Sequence, residues 1–139
     1  LSITLVRPYF RDKLDSLGLS EHRDSFNFRN IPSELLDSTY HIETNTISSG
    51  VADQRVHTFE IGVTIRLFRR GYNDTVTAHE ELLASVEQVY TQVLEITERT
   101  SQDLFDVIPG ATSIEPFGDS NDNWQIAVIP FTAVVKYCF

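Results

Sequence analysis

Between His57 and Leu67 the chain alternates: His57, Phe59, Ile61, Val63, Ile65 and Leu67 fall on one parity, and Thr58, Glu60, Gly62, Thr64 and Arg66 on the other. A period of two predicts a strand with one face buried and one wet, as antiparallel sheets allow. Gly71 is its expected end. The period then changes. Leu82, Leu83, Val86, Val89, Tyr90, Val93 and Leu94 form one stripe of a helix, expected from about Thr75 to Thr97. Thr77 with Glu80 has capping-box spacing, Asn73 or Asp74 can cap a turn earlier, and Glu80 and Glu81 suit the positive end of the helix.

The remaining segments give weaker patterns of the same kinds. Leu5, Val6, Tyr9, Phe10, Leu14 and Leu17 have helical spacing, with Pro8 in the first turn and Gly18 as a stop, so a first helix is expected over residues 4 to 17. Residues 20 to 39 read as a connecting loop with one helical turn at Ser33 to Leu36. Tyr40, Ile42 and Ile47 among threonines predict a strand over residues 39 to 48, followed by a loop, "SGVADQ". Residues 112 to 117 are a short strand candidate and "GDSNDN" a turn. The terminal "WQIAVIPFTAVVKYCF" is apolar on both parities, as a central strand is, with Pro130 marking a bulge or a missing ladder bond. The expected fold is α+β: a mostly antiparallel sheet of about four strands packed by two helices, in the order α-β-β-α-β-β, as one domain over residues 1 to 139.

Composition narrows the classes. With 139 residues, 41% hydrophobic and 22% charged, the chain has the values of an ordinary globular domain. Its apolar runs are too short to span a bilayer and Leu1 to Phe10 lacks the apolar middle of a secretory signal, so a soluble protein with no membrane partner is expected. It starts at Leu1 rather than Met, and a missing initiator residue is expected. Eleven basic against twenty acidic side chains leave a net charge of −9, which argues against a surface built to neutralise phosphates. Cys138 is the only cysteine, which rules out an internal disulfide and a cysteine-based zinc site.

Candidate chemistry is sparse. His22, His41, His57 and His79 lack the paired helical spacing of zinc ligands, and glycine-rich phosphate loops and nucleophile elbows are absent from the sequence. Neither a cofactor nor catalysis is expected. Arg66, Arg69 and Arg70 are the compact basic group, with Tyr72 beside it. One reading makes them a solvated strand end that discourages aggregation. The other makes them a contact between subunits, where guanidinium forks meet the carboxylates this chain has in excess.

The segments "NIPSELLDSTYHIE" (30 to 43) and "FEIGVTIRLFRRGYND" (59 to 74), with the helix that follows, resemble the tail terminator, or tail-completion, proteins of long-tailed phages. The likeness covers about half of the chain. It implies a small α+β subunit that forms a ring, usually a hexamer, on the finished tail tube. That ring stops tube polymerisation and offers the joint to the head-completion or connector protein. The partners implied are further copies of the chain, the tail tube protein and the head-side protein, with genomic DNA passing through the channel without specific binding. The implied location is the virion neck, after assembly in the host cytoplasm. By analogy, Ser48, Ser49, Gly50, Val51, Ala52, Asp53, Gln54 and Arg55 form a projecting loop used in ring or tube contacts; its two serines, glycine and polar ends around Val51 and Ala52 predict that it is mobile in an isolated subunit and ordered in the assembly. Two alternatives stay open: another neck ring, such as a head-completion or connector-joining protein, and a small α+β enzyme with an unrecognised site.

Overall fold

The computed structural model describes residues 3–21, 39–53, 56–70, 75–94, 106–117 and 124–138. Within them the protein is α+β, with two helices and a mixed six-stranded sheet. A 3-10 turn (Ile3–Leu5) leads into α1 (Val6–Asp15), which places Pro8 inside the first turn, where a missing N–H costs no helical bond. Gly18 follows at φ +80°, the left-handed conformation that ends helices and that a side chain resists; its N–H bonds to the Asp15 carbonyl.

Three strands of 15 residues carry the sheet: β2 (Thr39–Asp53), β3 (Val56–Arg70) and β6 (Trp124–Cys138). At roughly 3.3 Å per residue each is about 50 Å long. The neighbour order is β1-β2-β3-β6-β4, with β5 also on β6. β1 (Ser20–Glu21) is parallel to the start of β2 and makes the sheet mixed; every other pairing is antiparallel. β4 (Asp106–Pro109) and β5 (Ser113–Phe117) lie end to end along the outer side of β6, opposite 131–134 and 124–128 respectively.

The expected order therefore needs two additions, β1 and β4. Two and four residues long, they have no room to show a period, and their pairing partners rather than their composition make them strands. The expected loop at "SGVADQ" is also corrected. Ser48, Ser49, Gly50, Val51 and Asp53 continue β2 opposite Glu60, Phe59, Thr58, His57 and Val56 of β3, with Ala52 the extra residue at a register shift. Gln54 and Arg55 lie outside the described residues, as do Tyr72, the residue 33–36 turn and the 118–123 turn.

Helix α2 (Thr75–Val93) starts a turn before the Thr77 cap option, which places Glu80 and Glu81 in its second turn, away from the positive end. Its stripe behaves as the period predicts: Leu82, Val86, Val89 and Val93 are buried, while Leu83 at its margin is exposed. These residues, with Val6, Phe10 and Leu14 of α1, cover Tyr40, Ile42, Ile61, Val63, Ile65, Leu67, Ile129 and Phe131, so both helices sit on one face of the sheet. Phe10 and Tyr90 each pack on the Phe131 ring, at 5.5 and 5.7 Å between centroids. The Tyr9 hydroxyl donates to the Val93 carbonyl at 2.8 Å, tying α1 to the open C-terminal end of α2.

Pro130 produces no bulge, because the β3–β6 register runs unbroken from Val56↔Cys138 to Arg70↔Trp124. Its carbonyl accepts from the Gly110 N–H at 2.8 Å, so its backbone polar side faces the gap between β4 and β5. The N–H and C=O of one antiparallel residue point the same way. The donor that proline lacks is therefore one that β3 never needed. Gly110 completes the gap: a Cβ there would come within 2.9 Å of the Pro130 Cγ.

Candidate contact surface at the sheet edges

The corner where β2 begins is closed and charged. Tyr40 is fully buried, and its hydroxyl donates to an Asp15 carboxylate oxygen at 2.5 Å. Burial, then the hydrogen bond and the charge of Asp15, push its hydroxyl well above the usual tyrosine range, with Glu21 adding to the effect. Arg7 pairs with Glu21, bringing α1 onto β1. This network fixes the N-terminal unit to the sheet and leaves Tyr40 neutral.

Four positions on, the same strand is open. Thr44, Asn45, Thr46, Ile47, Ser48, Ser49 and Gly50 are all exposed, Ile47 by 57%. A register shift between Thr44 and Thr46 makes Asn45 the extra residue of a bulge, with its amide donating to the Thr64 hydroxyl at 2.9 Å. β1 pairs only with Thr39 and Tyr40, so among the described residues no strand covers the outer side of β2 beyond them.

The direction of each backbone group on that edge follows from Pro130. Because its polar groups face away from β3, Thr64 opposite it must turn its own toward β2, and with it the even residues of β3. Their partners Thr46, Ser48 and Gly50 bond inward to Gly62, Glu60 and Thr58. Ile47 and Ser49 alternate with them, so their N–H and C=O groups face the open side.

The opposite edge of the sheet is built differently. By the same parity the outward positions of β4 and β5 are Val107, Pro109, Ile114 and Pro116. Two are prolines with no N–H to offer, and the Val107 N–H is already bound to the Asp106 carboxylate at 2.8 Å. Asp106 and Glu115 add negative charge to these strands. Such features stop a sheet edge from recruiting another strand. The β2 edge from Thr44 to Gly50 has no proline and no charge.

The arginines do not form one patch. Arg66 and Arg69 have opposite parity on β3, and side chains of opposite parity leave opposite faces. Arg66 pairs with Glu43 of β2 at 2.7 Å on the face away from the helices. Arg69 lies on the helix face, 3.2 Å from the Ser85 hydroxyl of α2. Arg70 stands opposite Trp124 at the end of the ladder. Of the histidines, His41 is buried in β2 and His79 on α2 lies 3.1 Å from the Gln125 amide oxygen. Among the described residues no group of three or more His, Cys, Asp or Glu is placed to hold a metal ion, and no helix is long and apolar enough to cross a membrane.

Sequence reasoning selected Ser48 to Arg55 as a contact segment but missed the feature that gives its described part directionality, the open strand edge from Thr44 onward. The signal was present as nine consecutive uncharged residues, Thr44 to Ala52, in a chain with twenty acidic side chains. A scan against protein-family models and a search of curated proteins each return no match to this chain.

Proposed function

We propose that the chain is a structural subunit of a phage neck: a ring protein that caps the head-proximal end of the tail tube, stops its polymerisation and presents the joint to the head connector. The reading rests on the resemblance of residues 30 to 43 and 59 to 74 to tail terminators. The observation that carries it is the β2 edge that no strand covers among the described residues, from Thr44 to Gly50, which overlaps at Ser48 to Gly50 the segment the resemblance assigns to ring or tube contacts. Natural sheets blunt such edges unless something pairs with them. A cyclic ring joins one patch of a subunit to a different patch of the next. The two unlike edges of this sheet, with the exposed Val76 and Leu83 on α2, offer unlike patches. If the acidic remainder of the surface lines the channel, it repels passing DNA over a screening length of about 8 Å.

The test is addition of the purified protein to tails assembled without a cap. Electron microscopy is expected to show a ring at one tail end, tubes of uniform length and recovery of head joining. Tubes that keep growing with no ring at either end contradict the reading. A ring at the head vertex instead assigns the protein to the head side of the neck.

A further inference from the structure

We propose that the free subunit pairs with a second copy of itself through the outer edge of β2, antiparallel and about a two-fold axis close to Ser48. In that register Ile47 of one copy faces Ser49 of the other. These are the two residues whose N–H and C=O groups point outward, so each facing pair exchanges two hydrogen bonds and the pairing makes four.

Three observations select a second copy as the occupant. The first is charge. At a two-fold axis each residue meets its own near neighbourhood, so any charge there meets its like. In a chain of net charge −9, the nine residues from Thr44 to Ala52, centred on Ser48, carry none; like charges meet only at the ends of the pairing, where Glu43 faces Asp53. A partner recognised by charge would find nothing to read. The second is the state of the other edge, where Pro109, Pro116 and the bound Val107 N–H withhold three of four outward donors. That edge is blunted against strand addition, so among the described residues β2 with β2 is the strand pairing left to two copies of this sheet. The third is Ile47, a large apolar side chain more than half exposed on an otherwise hydroxyl-rich strand, which the pairing covers.

The two-fold pairing covers the segment assigned above to ring and tube contacts, so it belongs to the subunit before assembly and excludes the ring while it lasts. It does not depend on the ring reading, because no single cyclic ring relates copies by this axis.

Sedimentation velocity of the purified chain, from about 1 µM to about 1 mM, reads the pairing directly. A concentration-dependent monomer–dimer equilibrium is expected. Ser49→Pro removes an outward N–H and leaves the β3 ladder intact; it is expected to weaken the dimer at least about tenfold, the loss of roughly two net hydrogen bonds. Ser48→Pro removes an inward N–H and is expected to disturb the fold instead. Exposed charges supply a test that does not depend on proline. Ile47→Lys and Ser49→Glu each weaken the dimer alone, and mixing the two variants restores a mixed dimer, since position 47 of one copy faces 49 of the other.

A chain that stays monomeric up to about 1 mM overturns the proposal. So does a dimer that survives Ile47→Lys with unchanged affinity, or a mixture that gains nothing over its components. A wild-type ring with no dimer at any concentration overturns the pairing and supports the ring.

Discussion

The two edges of this sheet differ in what they do with their backbone donors. Along β4 and β5 the outward positions carry Pro109 and Pro116, and Asp106 ties up the Val107 N–H. Along β2 the outward N–H groups of Ile47 and Ser49 are free of such devices and flanked by serine, threonine and glycine. Both edges belong to one sheet, but the helices cover them unequally: Val107 is buried, while Thr44 to Gly50 are exposed on both faces. What also separates them is whether another strand can be added, and that distinction concerns contacts rather than folding.

The largest effect is expected where the edges share their support. Val86 of α2 is buried against the sheet, and Val86→Asp places an unpaired charge there at a cost of several kcal/mol, comparable to the whole stability of a domain. Thermal melting is expected to show an unfolded or barely folded chain. A native-like melt would mean that this helix face is not what holds the sheet.

A smaller effect separates the pinned start of β2 from its open half. Tyr40→Phe removes the bond to Asp15 and is expected to destabilise the fold by about 1 to 2 kcal/mol in chemical denaturation. Folding raises the Tyr40 value above that of an unfolded tyrosine, about 10. Its contribution is therefore complete below pH of about 10 and is lost as pH rises further. Wild type should lose stability in that alkaline range more steeply than Tyr40→Phe. Parallel pH profiles for the two proteins would remove this role from Tyr40.

Arg66→Ala breaks one partly exposed ion pair with Glu43, and about 0 to 1 kcal/mol is expected. The smallest stability change, within about 0.5 kcal/mol, is expected from Pro109→Ala with Pro116→Ala. Its effect should appear in association: restored outward donors make the blunted edge resemble β2, and light scattering should show new self-association. Unchanged scattering would show that the prolines do not protect that edge.

Legibility in the sequence followed length and period. β3 and α2 were readable because each repeats its pattern over several turns or pleats, and Leu82, Val86, Val89 and Val93 pack as their spacing predicts. β1 and β4 were not, being too short for a period to exist. Ser49 to Asp53 read as a loop because serine, glycine and alanine carry little strand preference; pairing with β3 imposes the conformation. The arginine group shows the opposite error. Positions 66 and 69 of a strand have opposite parity, so the period that identified β3 already separated Arg66 from Arg69. The edge itself could not be seen without the strand order, because an edge is a property of the neighbours a strand lacks.

Residue-resolved amide hydrogen exchange across the outer half of β2 tests the central claim, that this edge is a contact surface, most directly. The inward amides of Thr46, Ser48 and Gly50 bond to β3 and should exchange slowly under all conditions. The outward amides of Ile47 and Ser49 should exchange quickly in the dilute free subunit and become protected when the protein is concentrated or bound to tail ends. Fast exchange at Ile47 and Ser49 in every state would contradict the account, since it would mean that no strand ever covers the edge.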